Sequence, residues 1–356
     1  MTTIQHGAQQ SHSEVEKKTI KLLIWDLDNT VWRGTLLEGD NVRLRDGVLE
    51  TLETLDKRGI LHSIASKNSL EPVMEKLKEI GIEKYFLYPQ VNWNSKAANI
   101  RTIANSINIG LDAVAFIDDE PFEKEEVKHS LPEVLILGAL ELEGLMGRPE
   151  FNPPFITDES AQRREMYRAD IERKLDEEQF VGPSEAFLAG LEMVFTIAPA
   201  QEEDLKRAEE LTVRTHQLNT TGYTYSFDEL NAFRQSPDHL LLIASLNDRF
   251  GAYGKIGLTL IEKQHSIWTL KLFLMSCRVM SRGVGTILMN HVLELSRAAG
   301  VRLRAEFLVN DRNRMMLITY KLGGFREIEN SGDFRLFEHD LRRTQPHPEW
   351  VKVNVG

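Results

Sequence analysis

Short apolar runs alternate with amphipathic stretches along the first part of the chain. The apolar runs lie at residues 22–25, 60–65, 84–88, 113–117 and 133–138. Stretches with helical periodicity lie between and after them, at residues 47–58, 70–80, 95–107 and 122–129. Strands that alternate with helices in this way form βαβ units with parallel, buried strands. The pattern therefore predicts an α/β domain with a parallel sheet over residues 19–142.

The pattern changes after a charged helical stretch at about 160–178, which we assign to a connector over residues 143–187. Apolar runs follow at 192–197, 239–246, 255–263 and 266–274, and helical patterns at 201–213, 284–299 and 311–323. Several of these runs follow one another without an intervening helix, which is typical of antiparallel pairing. We expect a second α/β domain with a mixed sheet over residues 188–345. Residues 1–18 and 346–356 are predicted to be tails, the first of them disordered.

Composition adds limits to this picture. The 356 residues are 42% hydrophobic, and they include one cysteine, which cannot form an internal disulfide. No apolar run approaches the ~20 residues of a membrane span, and no secretory signal is evident, so we expect a cytoplasmic protein. The net charge of −11 disfavours nucleic acid as a partner. Residues 271–326 have the opposite charge, with ten Lys or Arg against three Asp or Glu. The basic residues are either ordinary solvated side chains or a docking face for an acidic partner or a phosphorylated ligand.

The first apolar run ends on Asp26 and Asp28, followed by Asn29 and Thr30. Side chains at i and i+2 of a strand project the same way, so both carboxylates can address one phosphoryl group at the carboxyl edge of a sheet. Such a site calls for a cation, and Mg²⁺ binds carboxylates together with substrate oxygens. Asp26 is the candidate nucleophile and Asp28 the candidate acid and base. The alternative is an acidic surface turn. The motif resembles the first motif of the haloacid dehalogenase (HAD) superfamily of aspartyl phosphatases.

Three further elements follow in the order that the HAD resemblance implies. They are the end of the second apolar run, a lysine at a helix start, and an acidic pair after residues 113–117. The candidate phosphate-binding residues are Ser66, Lys67, Asn68 and Lys96. The candidate Mg²⁺ ligands are Asp26, Asp28, Asp118 and Asp119. Lys96 can also neutralise the charge of the aspartates and the phosphate.

In the second domain, a glycine-containing turn over residues 282–285 leads from a strand into a helix. Together with Asn310, Asn313 and Tyr320 downstream, this turn resembles the GNAT N-acetyltransferase fold, in which such a turn binds pyrophosphate at a helix N-terminus. Met280 departs from that signature, which has Arg or Gln there. The candidate phosphate-binding residues are Arg282 in this turn and Arg278 shortly before it.

Cys277 lies between the apolar run 266–274 and the glycine turn. The GNAT resemblance implies a pantetheine arm beside this strand, so the thiol is a candidate acyl acceptor. Arg278 favours the thiolate, which is the nucleophilic form. The alternative is a buried, inert cysteine, as most lone cysteines in apolar runs are. His216 is either a catalytic base for the thiols or an ordinary hydrogen-bonding loop residue.

Over about residues 20–345 the chain resembles the FkbH-like proteins of polyketide biosynthesis, in which a HAD domain is fused to a GNAT-like domain. The resemblance rests on residues 26–32, 116–123, 214–221 and 276–279. It departs from the family at His216 and Ser281. It implies that 1,3-bisphosphoglycerate loses phosphate and that its acyl group passes to the cysteine, then to the phosphopantetheine thiol of an acyl carrier protein. Two alternatives are a phosphatase joined to an acetyl-coenzyme A-dependent acetyltransferase, and a non-catalytic carrier-docking module.

Overall fold

A computed structural model of the chain describes residues 19–215 and 217–356. The chain divides into two compact units, the first ending at Tyr167 and the second running from Arg168 to Gly356. The division falls inside the stretch 143–187 that the sequence assigns to a connector. Within the described ranges, no helix is both long and apolar enough to cross a membrane.

The first unit contains a parallel sheet with helices between its strands. Its strands are β1 (Leu22–Trp25), β2 (Trp32–Arg33), β3 (Arg43–Leu44), β4 (Leu61–Ser66), β5 (Gln90–Val91), β6 (Val114–Asp118) and β7 (Leu135–Gly138). Its helices are α1 (Val48–Lys57), α2 (Leu70–Ile80), α3 (Lys96–Ile107), α4 (Pro121–Ser130) and α5 (Asp158–Ala161), and α6 (Arg163–Gln179) begins in it. Among the described residues, five parallel strands pair in the order β5-β4-β1-β6-β7. The predicted parallel α/β fold is confirmed.

Strand β1 is central in this sheet and is fully buried, as a continuous apolar run predicts for a strand covered on both faces. Two details differ from the prediction. Residues 84–88 do not form a strand, because Glu83–Tyr85 is a 3₁₀ turn and Phe86 makes only an isolated bridge with His62. The first core also extends past residue 142, since Leu145 and Phe151 are fully buried in it.

The second unit is built on a mixed sheet. Its strands are β8 (Met193–Pro199), β9 (His239–Asp248), β10 (Gly251–Gln264), β11 (Ile267–Met275), β12 (Arg302–Leu308), β13 (Arg326–Ser331), β14 (Phe334–His339) and β15 (Val351–Val355). Its helices are α7 (Ser184–Gly190), α8 (Leu205–Arg214), α9 (Phe227–Gln235), α10 (Val284–Ala298) and α11 (Arg314–Leu322). In the described part of this unit, the strands pair in the order β13-β14-β12-β11-β10-β9-β8-β15. Pairing is antiparallel except between β11 and β12 and between β8 and β15, so the predicted mixed, largely antiparallel sheet is confirmed.

Strands β11 and β12 pair only over their first halves, Ile267–Leu270 with Arg302–Ala305. Beyond that point, residues 218–220 lie between the two strands. The N–H of Thr220 donates to the carbonyl of Phe273 (3.2 Å), and the N–H of Leu308 donates to the carbonyl of Thr220 (3.0 Å). The chain itself thus fills the gap that opens where the two strands diverge.

The C-terminal residues are part of the second sheet. From the sequence we expect residues 346–356 to form a tail, but Val351–Val355 form β15, which pairs in parallel with β8. The alternation of valine with Lys352 and Asn354 is a strand pattern of period two. The assignment as a tail is therefore corrected for these five residues.

Candidate functional site

Lys96 and two aspartates form a buried cluster at the carboxyl edge of the parallel sheet. Asp26 directly follows β1, and its N–H donates to the carbonyl of Ile117 (2.9 Å). Lys96 is the first residue of α3, and its ammonium donates to the carboxylate of Asp26, to Asp118 Oδ2 (3.2 Å) and to the carbonyl of Ala65 (2.8 Å). The exposed fractions are 7% for Asp26, 2% for Lys96 and 1% for Asp118. The structure therefore brings these three predicted residues together.

Burial changes the protonation of this cluster. It raises the pKa of Asp26 to about 7, with Lys96 acting to lower the pKa and Asp118 acting to raise it. Burial also raises the pKa of Asp118. For Lys96, burial lowers the pKa, but the two carboxylates outweigh burial and leave the pKa raised, so the ammonium stays charged. A second cation beside the carboxylates would stabilise their ionised forms.

Asp119 completes a group of carboxylates that fits a metal ion. One oxygen each from Asp26, Asp118 and Asp119 lies within 4.8 Å of the other two. Thr30 orients Asp119, because its hydroxyl accepts from the Asp119 N–H (3.0 Å) and donates to Asp119 Oδ1 (3.3 Å). The three carboxylates can carry more negative charge than the one positive charge of Lys96 neutralises. Oxygen donors of this kind suit Mg²⁺. The donor set therefore fits a divalent cation.

Asp28 faces other partners. Its Oδ1 accepts from the indole N–H of Trp32 (2.7 Å) and from the N–H of Leu36 (3.1 Å), and its Oδ2 accepts from the side-chain amide of Asn68 (3.0 Å). These three donors fix the orientation of the carboxylate, which is useful for a group that exchanges protons with a substrate. The sequence predicts that Asp28 also binds the metal, but its carboxylate does not belong to the group formed by Asp26, Asp118 and Asp119.

The predicted triplet 66–68 lies at the end of β4. Ser66 is buried as the last residue of the strand, and Asn68 is buried beside Asp28. Lys67 donates instead to Glu123 Oε1 (2.7 Å), in the first turn of α4. Lys67 is therefore paired with a carboxylate for which the sequence predicts no role.

Three residues of this site have no predicted role, namely Thr30, Trp32 and Glu123. They orient Asp119, Asp28 and Lys67 respectively. All three lie within the motif segments 26–32 and 116–123. Membership in these segments is the signal that could have identified them.

Cys277 is exposed at the carboxyl end of β11. Ser276 separates it from the strand and donates its N–H to the carbonyl of Ile256 (2.6 Å), which anchors the strand end to β10. The Nε of Arg278 lies 3.4 Å from the hydroxyl of Ser276. Exposure makes the thiol accessible to a reactant and contradicts the alternative that this cysteine is a buried hydrophobe.

Arg282 is buried, and its Nη2 lies 3.5 Å from Glu177 Oε2 on α6. The next residue, Gly283, is the N-cap that precedes α10 and has a φ of 76°, in the left-handed region. A Cβ at this position would lie 2.8 Å from Pro348 Cγ, so both conformation and space favour glycine. His216, the candidate base, lies outside the described residues.

Comparison with known proteins agrees with the first part of this picture. Residues 4–129 match the family model of haloacid dehalogenase-like hydrolases. The chain is also similar to a Bacteroides fragilis structure, the N-terminal part of a protein containing a phosphatase domain complexed with Mg, at 33% identity and a TM-score of 0.32. That similarity covers 34% of this chain and 36% of that chain. No curated protein sequence matches the chain.

Other solved structures with similarity include N-acetyltransferases. The ribosomal-protein-S18-alanine N-acetyltransferase of Escherichia coli is 17% identical, with 42% of this chain and 96% of that chain covered and a TM-score of 0.33. The PaiA N-acetyltransferase of Thermoplasma acidophilum, in complex with coenzyme A, is 16% identical, with 41% and 98% covered and a TM-score of 0.32. Residues 4–129 thus match a HAD-like hydrolase domain, and the second unit has a mixed, largely antiparallel sheet.

Proposed function

We propose that this chain is a glyceryl transferase/phosphatase of the FkbH-like type. It takes 1,3-bisphosphoglycerate, removes phosphate at the aspartate site, and passes the glyceryl group through Cys277 to the phosphopantetheine thiol of an acyl carrier protein. The observation that carries the proposal is the buried contact of Lys96 with Asp26 and Asp118, with Asp119 beside them. This contact supports a site at one sheet edge in which Asp26 is the proposed nucleophile, Lys96 supplies a fixed positive charge and the three carboxylates supply oxygens that suit a metal.

The aspartate site supports hydrolysis of a phosphate monoester. Asp26 attacks phosphorus, the bond from phosphorus to the ester oxygen breaks, and the departing alkoxide takes a proton from Asp28. Water then hydrolyses the aspartyl phosphate, with Asp28 accepting its proton. Lys96 offsets negative charge in both steps. Mg²⁺ held by Asp26, Asp118 and Asp119 would supply further charge neutralisation to the phosphoryl oxygens.

The second domain supports transfer of an acyl group. The thiolate of Cys277 attacks the carbonyl carbon of the acyl phosphate, the carbon–oxygen bond to phosphate breaks, and inorganic phosphate leaves. The thiolate of the carrier then attacks the thioester, and the carbon–sulfur bond to Cys277 breaks. His216 is the proposed base for these thiols. Arg278 and Arg282 are proposed to bind phosphate.

The division of labour follows from the two phosphates of the substrate. The acyl phosphate is already activated, so a thiolate displaces it without ATP. The phosphate monoester at the other end is stable, and its hydrolysis needs far more catalytic help. We therefore assign the monoester to the aspartate site and the acyl phosphate to Cys277.

Intact-protein mass spectrometry tests this proposal. After incubation with Mg²⁺ and 1,3-bisphosphoglycerate, we expect an adduct of glyceryl size on the chain and none on Cys277→Ala. Labelling of an amine acceptor by acetyl-coenzyme A, with Cys277→Ala as active as the unmodified chain, would instead support the acetyltransferase alternative. If neither reagent reacts, the non-catalytic docking module is the better account.

A further inference from the structure

Helix α11 carries an apolar stripe that is exposed to solvent. Met315, Ile318 and Leu322 follow one another at the spacing that places side chains on one helix face, and their exposed fractions are 49%, 40% and 71%. The opposite face of the helix is buried in the core through Met316 and Tyr320. An exposed stripe on a helix that already has a buried face is typical of a surface that binds a partner.

The surroundings of this stripe are basic. Residues 312–326 contain four Lys or Arg and no Asp or Glu. All four basic side chains are exposed, and they are Arg312, Arg314, Lys321 and Arg326. Charge complementarity therefore favours an acidic partner with an apolar contact face.

Another exposed apolar group in this unit has the opposite surroundings. Leu175, Phe180 and Val181 are exposed at the end of α6 and beyond it. They are interleaved with Asp176, Glu177 and Glu178, of which Asp176 pairs with Arg249 and Glu177 with Arg282, so this group has no surplus of basic charge to attract an acidic partner. The charge pattern thus distinguishes α11 from this second apolar group and supplies a matched control.

The start of α11 is connected to the strand that leads to Cys277. Asn313 donates its side-chain amide to the carbonyls of Asn219 (3.2 Å), Thr220 (3.4 Å) and Leu308 (2.8 Å). Residues 218–220 in turn pair with β11, where the N–H of Met275 donates to the carbonyl of Leu218 (2.9 Å). The start of α11 therefore lies beside the half of β11 that ends two residues before the thiol.

We propose that α11 is the docking surface for the acidic carrier protein, with Met315, Ile318 and Leu322 as apolar contacts and Arg314 and Lys321 as charged contacts. This inference rests on the proposed function, because it locates the carrier that this function requires. Docking on α11 leaves the flexible arm of the carrier free to present its thiol to Cys277. We infer an acidic partner with an apolar contact face because the exposed apolar stripe and the exposed basic side chains lie in the same segment, residues 312–326.

The test uses the full chain and the phosphopantetheinylated acyl carrier protein encoded nearest to its gene. Calorimetry gives the affinity for the double variants Ile318→Ser/Leu322→Ser and Arg314→Glu/Lys321→Glu, with Leu175→Ser and Lys352→Glu as controls. We expect both double variants to weaken carrier binding by about tenfold or more, and the controls to bind as the unmodified chain does. Acylation of Cys277, and transfer of the acyl group to the small thiol N-acetylcysteamine, should not change.

Several results would overturn the docking site. They are unchanged carrier affinity in both double variants, an equal loss in Leu175→Ser, or no carrier binding by the unmodified chain. Dissociation of a dimer of this chain by the same variants, with carrier affinity unchanged, would assign the face to a second copy. Carrier binding that depends on α11 but without any acylation of Cys277 would uphold the docking site and refute the proposed function.

Discussion

The ammonium of Lys96 donates a hydrogen bond to the carboxylate of Asp26, although 70 positions separate the two residues in the chain. The contact exists because β1 and the N-terminus of α3 meet at the same edge of the parallel sheet. Both groups are buried, so their interaction is weakly screened by solvent. Loss of Lys96 would leave two buried carboxylates without this cation, whereas loss of Asp26 would leave Lys96 paired with Asp118.

Replacement of Lys96 tests the role of this charge in phosphate removal. Lys96→Met keeps much of the side-chain length but leaves Asp26 and Asp118 without their cation. We expect phosphate release from p-nitrophenyl phosphate to fall by about 10²–10³-fold, the size of effect found when one stabilising donor is removed from an active site. Lys128→Met, at an exposed lysine of α4, is the control. Activity of Lys96→Met within a few fold of the control would contradict the assigned role.

Thr30 offers a test of the metal group. Thr30→Val removes the hydroxyl that orients Asp119 while keeping the side-chain shape. We expect the affinity for Mg²⁺ to fall by about 10–100-fold, as is typical when a group that orients a ligand is lost. Titration of phosphate release with Mg²⁺ measures this change. Thr30→Ser, which keeps the hydroxyl, should retain the affinity, and equal weakening in both variants would argue against the hydrogen bond as the cause.

His62 makes the stability of the first unit dependent on pH. It is fully buried, its Nδ1 accepts from the indole N–H of Trp25 (3.1 Å), and its Nε2 donates to the carbonyl of Leu52 (3.3 Å). Burial lowers its pKa from 6.5 to about 3. Below 6.5 the unfolded chain binds a proton that the folded chain does not, so the free energy of unfolding falls as the pH falls through this window.

His62→Gln can make similar hydrogen bonds without titrating. Between pH 7 and pH 5, the unmodified chain should therefore lose about 2 kcal/mol more of its unfolding free energy than the variant does, at ~1.4 kcal/mol per pH unit below 6.5. Chemical denaturation at the two pH values measures the difference. Carboxylates titrate in both proteins and cancel in the comparison. Parallel pH dependence of the two proteins would show that His62 does not remain neutral in the fold.

Asn313 stabilises the segment that fills the gap between β11 and β12. Asn313→Ala would leave the carbonyls of Asn219, Thr220 and Leu308 without this donor. We expect a loss of about 2–4 kcal/mol in the unfolding free energy of the second unit, at ~1 kcal/mol for each hydrogen bond. Denaturant titration measures this loss. The comparisons are Asn310→Ala, between β12 and α11 near Asn313, and Asn354→Ala, in β15. A change below ~0.5 kcal/mol would mean that the segment is held by other contacts.

Part of the site follows from local sequence pattern. The apolar run 22–25 predicts β1, whose bounds the structure reproduces as Leu22–Trp25. Because Asp26 and Asp118 each stand at the end of such a run, their meeting at one sheet edge follows from parallel pairing. The alternation of strands and helices likewise predicts the parallel sheet of the first unit and the mixed sheet of the second.

Other features depend on contacts that no local pattern encodes. Asn29 has a φ of 55°, and the chain turns there so that Asp28 meets Trp32 and Leu36. Lys67 donates to Glu123, which lies 56 positions later in the chain. The segment 218–220 enters the gap beside β11 from a region where periodicity predicts only a loop. These are tertiary contacts, and side-chain periodicity reports burial rather than partners.

The mass of the adduct on Cys277 in Asp26→Asn tests the central claim most directly. After incubation of this variant with Mg²⁺ and 1,3-bisphosphoglycerate, two separate sites predict a phosphoglyceryl adduct on Cys277, heavier by one phosphate than the glyceryl adduct of the unmodified chain. Cys277→Ala should carry neither adduct. A plain glyceryl adduct on Asp26→Asn would contradict phosphate removal by Asp26, and no adduct at all would contradict independent action of the two sites.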